Sequence, residues 1–262
     1  MELNLSGKKA VVCGSTRGIG YAVAMELASM GASVTLIARN PEALKHVLGD
    51  LPVSNSQIHD SLVADFSKPE GLRAALSSYV ARTPVVHILV NNSGGPKGGP
   101  IAEAQTEEFV GTFAQHLLCN HILVQSFIAG MKKAAYGRII NIISSSVKQP
   151  IPNLGVSNTI RGAVASWAKT LAGELGQFNI TVNNVLPGTT KTGRLDSLIK
   201  ARAEKLNVQA DTVAAEMIAE IPARRFAEPR EVAAAVAFLA SPAAAYINGI
   251  NLPVDGGRLN CL

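Results

Sequence analysis

The stretch Lys8-Lys9-Ala10-Val11-Val12-Cys13-Gly14-Ser15-Thr16-Arg17-Gly18-Ile19-Gly20 constrains the fold of this 262-residue chain more than any other. Its short Val-rich run reads as a buried strand, and the glycines after it break that strand. From Tyr21 to Met30, Ala, Val, Met and Leu recur at helical spacing. Strand, glycine turn and helix in that order form the context in which a dinucleotide binds. Gly14 permits a tight turn, Gly18 the close approach of a pyrophosphate, and Gly20 close contact of helix with strand. Ser15, Thr16, Arg17 and Ile19 complete a loop whose free N–H groups and positive helix end would face the phosphates. A strand-to-helix turn with no ligand could use the same glycines, so the rest of the chain has to decide between the two.

The Gly-x-x-x-Gly-x-Gly spacing resembles the signature of the short-chain dehydrogenase/reductase family, with Cys13 where that family has Thr. The resemblance extends over nearly the whole chain, on the side of the 3-oxoacyl-acyl-carrier-protein reductases. It implies an α/β fold: one Rossmann domain over residues 1–262, with a doubly wound seven-stranded parallel sheet and helices on both faces. A composition of 47% hydrophobic and 16% charged residues suits such a core and leaves an apolar surface that hints at an oligomer. No run of 18 apolar residues and no basic-then-apolar leader is present, so a soluble cytoplasmic protein is expected. Cys13, Cys119 and Cys261 show neither metal spacing nor an even count, which predicts reduced thiols and no metal site. The net charge is +5, but Lys and Arg are scattered and not interleaved with aromatics. An anionic cofactor accounts for the basic excess better than nucleic acid does.

Ser33 to Ala38 reads as a second strand, followed by Arg39-Asn40-Pro41 and a helix to about Gly49. In NAD-binding proteins of this fold an acid closes that strand and holds the ribose 2′-OH. Here no acid stands there. Arg39 and Arg17 offer guanidiniums that suit a 2′-phosphate, so NADP(H) is the expected cofactor. Gln57 to Val63 reads as a third strand ending at Asp65-Phe66. The resemblance gives Asp65 to the adenine amino group, while a cap for the helix near Lys68 is the local alternative. Val85 to Val90 reads as a fourth strand, and Asn91-Asn92-Ser93-Gly94 resembles the family's Asn-Asn-Ala-Gly, which lines the adenosine side and braces the sheet.

A long helical pattern covers Thr106 to Lys133 and carries His116, Asn120 and His121. A spacing of five does not put both histidines on one helical face, so a metal pair is not expected. The resemblance gives Asn120 the role of the family's helix Asn, which holds a water in the proton relay. Gly137 to Ser144 reads as the fifth strand, and by spacing the substrate-binding Ser is Ser144, with Ser145 the alternative.

At the positions of the family's Tyr and Lys the chain has Ser157 and Arg161. A Tyr of pKa near 10 can be lowered by a neighbouring ammonium. A serine hydroxyl hydrogen-bonds but is a poor proton source, and Arg161 keeps a charge it cannot give up. Lys148 is the nearest conceivable replacement donor, although a solvated loop lysine reads the same way. After a sixth strand, Pro187-Gly188-Thr189-Thr190-Lys191-Thr192 resembles the family's nicotinamide loop, with Gly188, Thr190 and Thr192 against the carboxamide. Residues 193–225 form an expected helical lid, and Gly162, Ala163, Ala165 and Ala168 an expected close-packing face for a homodimer or homotetramer. Two functions remain open on the sequence. One is an NADP(H)-dependent oxidoreductase with an altered site, acting on a small carbonyl or hydroxy compound. The other is a catalytically weak or inactive NADP(H)-binding sensor or oligomer partner.

Overall fold

The computed structural model describes residues 1–54 and 56–261. Seven parallel strands alternate with helices. The first part runs β1 (Lys9–Cys13), α1 (Gly18–Ser29), β2 (Ser33–Ala38), α2 (Pro41–Asp50), β3 (Asp60–Val63), α3 (Pro69–Arg82) and β4 (Ile88–Asn91). The second part runs α4 (Thr106–Phe113), α5 (Cys119–Ala134), β5 (Gly137–Ile142), α6 (Gly155–Leu175), β6 (Ile180–Pro187), α7 (Gly193–Leu206), α8 (Ala210–Ala219), α9 (Pro229–Ala240) and β7 (Asn251–Val254). The sheet order is β3-β2-β1-β4-β5-β6-β7. The chain winds outward from β1 to β3, then returns to place β4 on the other side of β1. The crevice beyond the carboxyl ends of β1 and β4 is thus the topological switch point, where ligands bind in open α/β sheets.

Successive residues of the central strands serve opposite layers, so these strands carry apolar residues toward both faces. Val12, Val34, Leu36, Val90 and Ile140 pack with α1, α2 and α9. Val11, Cys13, Ile37, Leu89 and Ile139 pack with α3, α5 and α6. Full burial of a Val, Leu or Ile contributes about 1.5–3 kcal/mol, which makes these two layers the main source of stability.

Three strands are shorter than the sequence suggests, β5 ending at Ile142 instead of Ser144. Only Asp60–Val63 pairs in β3, where side chains take backbone amides ahead of the paired residues: Ile58 N donates to Ser33 Oγ and Val34 N to His59 Nδ1. In β4 the pairing starts at Ile88 instead of Val85. Residues 193–219 fold into two helices, and the segment carries its own apolar cluster of Leu195, Ile221 and Phe226 with Ile199, Met217 and Ile218. One expectation is corrected. Ala165 and Ala168 do not form an outward face, because both are buried in the chain's own core. Gly162 and Ala163 of that set are half-buried, and nothing comes within 4 Å of where a Cβ on Gly162 would be. No helix of the described residues is long and apolar enough to cross a membrane.

Candidate active site

The glycine turn is shaped by what a side chain would strike. Gly14 and Gly18 adopt φ of +57° and +56°, a region costly for other residues. A Cβ on Gly14 would stand 2.8 Å from Asn92, and one on Gly20 would collide with the Gly14 carbonyl oxygen. Asn92 explains the closeness: its Nδ2 donates to Cys13 O at 3.2 Å and Gly14 O at 3.3 Å, tying the turn to the end of β4. Arg17, the residue before α1, makes no side-chain cap, and the first turn of α1 holds no acid. The first amides of α1 therefore point outward with a positive field, as a phosphate requires. Thr192 lies against this turn, its Cγ2 3.1 Å from where a Cβ on Gly18 would be. Ser15 is buried and its Oγ donates to Ile37 O at 3.4 Å, so it holds the loop from within, whereas Thr16 and Ile19 are half-buried.

At the end of β2, Arg39 is exposed and Asn40 caps α2 by accepting from Ala43 N. Neither Arg17 nor Arg39 has an ion-pair partner among the described residues. Asp65 accepts from Ser67 N at 2.9 Å. That bond, with smaller contributions from Arg39 and Lys68, holds its carboxyl below the usual range. It does not cap α3, whose N-cap is Lys68 without a side-chain bond. Phe66 turns its ring into the core, which leaves only its backbone for a ligand.

On the other side of the switch point four asparagines form a ladder that the sequence reading missed. Asn91 Nδ2 donates to Asn141 Oδ1, Asn141 Nδ2 to Asn184 Oδ1, and Asn184 Nδ2 to Asn251 Oδ1, all at 2.8–2.9 Å. They sit in register on β4, β5, β6 and β7. One Asn in each of four strands was the available signal, near the carboxyl ends of β4 and β5, within β6 and at the start of β7. The ladder fixes the strand ends from which the cleft residues emerge, and it makes Asn91 a brace.

Between α4 and α5 the helix widens into a π-helical turn, Ala114–Leu118, a distortion often found at functional sites. It brings His116 inward. The ring's Nδ1 is 2.9 Å from Ser93 Oγ, and its buried Nε2 has no hydrogen-bond partner. Burial, then repulsion from Arg161, pushes its pKa down to about 3. His116, not Asn120, is thus the side chain of this helix that meets the 91–94 turn. Asn120, one turn later, is buried and makes no side-chain hydrogen bond among the described residues. His121 turns away to Trp167.

Ser144 follows β5 and accepts from Ser146 N at 3.1 Å, opening a short 3-10 turn in which Ser145 and Ser146 are buried. Ser157 is half-buried on α6, and Arg161 lies one helical turn later on the same face. Arg161 is 8% exposed and its Nη1 donates to Ile142 O at 2.9 Å, while its Nε has no partner. Burial and the nearby Arg194 lower its pKa to about 10. It therefore remains a cation at neutral pH. Tyr79 bonds Thr35 and Tyr136 donates to Ala240 O, while Tyr246 is fully exposed and Tyr21 packs on the first core layer. Beyond β6, Gly188 packs on Asp255, and Thr190 is buried with its Oγ1 on Gly188 O. Among the described residues no cluster of three His, Cys, Asp or Glu could hold a metal.

Residues 14–258 match the family model described as enoyl-(acyl carrier protein) reductase. The chain is 36% identical over 257 residues to 3-oxoacyl-(acyl-carrier-protein) reductase FabG of Vibrio cholerae serotype O1, covering 97% of this chain and 98% of that protein. It is 27% identical over 259 residues to the NADPH-dependent reductase BacG of Bacillus subtilis, covering 98% of this chain and all of the relative. Among solved structures, L-sorbose reductase from Gluconobacter frateurii, complexed with NADPH and L-sorbose, superposes with a TM-score of 0.93 at 31% identity, with both chains fully covered.

Proposed function

The chain belongs to the short-chain dehydrogenase/reductase family, and from that premise we propose that it is an NADP(H)-dependent oxidoreductase of a small carbonyl or hydroxy compound, working with an altered proton-handling pair. The uncapped glycine turn and the unpaired Arg17 and Arg39 fit an anionic dinucleotide carrying a 2′-phosphate. The NADPH in the relative's complex points the same way. Gly14 to Gly20 would hold the pyrophosphate, Arg39 and Asn40 the 2′-phosphate side, and Asp65 the adenine. Ser93 and Gly94 would line the adenosine side, and Arg161, Pro187, Gly188, Thr190 and Thr192 would border the nicotinamide riboside. When bound, the cofactor supplies or accepts the hydride.

The observation that carries this reading is the position of Arg161. A buried guanidinium one helical turn after Ser157, at the carboxyl end of β5, puts fixed positive charge where a carbonyl oxygen would become an alkoxide. Ser144 and Ser157 would donate hydrogen bonds to that oxygen, and Asn120 and His116 would border the path of its proton. Ser157 and Arg161 stand in for the Tyr and Lys that the family resemblance leads one to expect. Without a phenol the step loses roughly the 10²–10⁴-fold contribution of general acid catalysis. A second reading, a cofactor-binding protein without turnover, is favoured by one observation: all four tyrosine hydroxyls lie elsewhere.

The test is NADPH oxidation with a panel of ketones, diketones and acyl thioesters, comparing the natural protein with Ser157→Tyr/Arg161→Lys. Slow turnover that the double change raises at least tenfold supports the oxidoreductase. NADPH binding with no turnover by either protein moves the conclusion to the binding protein. Assembly as a homodimer or homotetramer is part of the same reading. Val110, Phe113 and Leu118 on the α4–α5 helix are exposed, and nothing comes within 4 Å of where a Cβ on Gly162 would be; light scattering showing a monomer at micromolar concentration would remove this part.

A further inference from the structure

Two arginines in this chain are buried, and they are treated differently. Arg138 is 1% exposed, but its guanidinium meets Gly137 O, Asn179 O and Ser241 O and stacks 4.2 Å from the Tyr136 ring. Its desolvation is offset on every side. Arg161 has a single carbonyl partner, Ile142 O, and a buried Nε with none. No carboxylate of the described residues forms an ion pair with it. A second unpaired guanidinium approaches the same place. Arg194, in the first turn of α7, donates from Nη2 to Pro96 O at 2.6 Å, which fixes it over the 94–99 loop. A Cβ on Gly95 would stand 3.9 Å from Arg161 Nη2 and 4.0 Å from Arg194 Nη2, the two groups that come within 4 Å, apart from the neighbouring residues of the loop. Both forks therefore converge on one point, kept open because Gly95 has no side chain.

We infer that Arg161, Arg194 and the open space at Gly95 form an anion subsite that takes the carboxylate of the substrate, so that the compound acted on is a short oxo or hydroxy acid. This rests on the oxidoreductase reading and narrows its substrate class. A buried cation without a counter-charge is costly, and two like charges converging add to the cost. A bound carboxylate removes both penalties and can accept paired hydrogen bonds from a guanidinium fork. The position separates this pair from the amides that suit the cofactor's pyrophosphate. Those open α1 after β1, whereas Gly95 lies in the loop after β4 and Arg161 beneath the end of β5. Arg194 belongs to the helical segment over the cleft, so an anion would also draw that segment toward the sheet.

Calorimetry with the full chain separates the outcomes. NADP+ is titrated first; failure to bind it removes the oxidoreductase reading itself. With NADP+ bound, 2-oxobutanoate and acetoacetate are compared with their methyl esters, which keep the carbonyl and lose the charge. The acids should bind at least tenfold more tightly than the esters. Arg194→Met, a change of an exposed side chain, should erase that difference and leave NADP+ affinity within about twofold. Arg194→Lys should restore part of it, and Gly95→Leu should abolish binding of the acids by filling the space. Equal binding of acids and esters to the natural protein overturns the inference. So does an Arg194→Met variant that weakens NADP+ instead, because the pair would then serve a cofactor phosphate.

Discussion

The two sides of the switch point are built from different material. On the β1 side the backbone makes the site: two glycines at positive φ, a third pressed on a carbonyl oxygen, and free amides at the start of α1. On the β4–β7 side the site is made by side chains, namely Ser93 with His116, Ser144, Ser157, Arg161 and the asparagine ladder. A backbone site tolerates exchange of the residues between its glycines, as Cys13 before the turn illustrates. A side-chain site can change its chemistry one residue at a time on an unaltered frame. On the function proposed above, the dinucleotide side would retain a family pattern, while the substrate side would carry what is particular to this chain.

The sharpest way to break that contrast is Gly20→Ala. In an ordinary helix the change stabilises by about 1 kcal/mol. Here the methyl would collide with Gly14 O and come 2.7 Å from Asn92 Nδ2, forcing the turn away from β4. NADP+ affinity should fall at least about a hundredfold, near 2.7 kcal/mol, with a lower melting temperature. Calorimetry and thermal denaturation read both. Unchanged affinity with a raised melting temperature would mean that the glycine turn is not closed by this contact.

The same contrast explains what could be read from the sequence. Gly14, Gly18 and Gly20 were legible because their constraint is steric and local: only one residue type fits. The central strands were legible because both faces are buried, giving runs of Val, Ile and Leu, although Ser33 and His59 show how side-chain bonds to backbone amides can shorten a strand. Ala165 and Ala168 were misassigned because small residues on a helix suit an interface and a crowded core equally well. His116 was hidden for a different reason. A π-helical turn shifts the helical phase, so spacing alone could not show that this ring, and not Asn120, turns toward Ser93. The approach of Arg194 to Arg161 could not be read at all, since it joins residues 33 positions apart through Pro96 and Gly95.

His116 gives the next largest expected effect, on the side-chain half. Its pKa in the folded chain is about 3, against an ordinary 6.5, because burial and Arg161 disfavour the imidazolium. Below pH 6.5 the unfolded chain takes up a proton that the folded chain refuses. The associated stability is complete above pH 6.5 and is lost as pH falls toward 3. His87, lowered to about 4 by burial and Lys8, acts with the same sign. Each ring should remove on the order of 2 kcal/mol between pH 6.5 and 4.5. His116→Asn should shrink the loss measured by urea denaturation at those two pH values, and His116→Asn/His87→Asn should shrink it further. A loss as steep in His116→Asn as in the natural protein would show that the ring is solvated.

The smallest effect belongs to the cofactor side, where a side chain adds specificity to the backbone site. Arg39 is exposed after β2 and has no ion-pair partner among the described residues, though it helps to hold the Asp65 carboxyl in its charged form. An exposed guanidinium meeting a phosphate is screened by salt and water, so its contribution is modest. Arg39→Asp replaces a phosphate-binding fork with a carboxylate able to accept from a ribose 2′-OH. NADP+ affinity should fall about tenfold, near 1.4 kcal/mol, while NAD+ affinity should rise a few-fold, since the amides of α1 still hold the pyrophosphate. Raising NaCl from 0.05 to 0.5 M should narrow the gap between variant and natural protein for NADP+ and leave NAD+ nearly unmoved. If Arg39→Asp leaves the affinities for NADP+ and NAD+ unchanged, Arg39 does not read the 2′-phosphate. Specificity on this side would then have to come from Arg17, the other unpaired guanidinium at the turn, which Arg17→Met would test in the same titration.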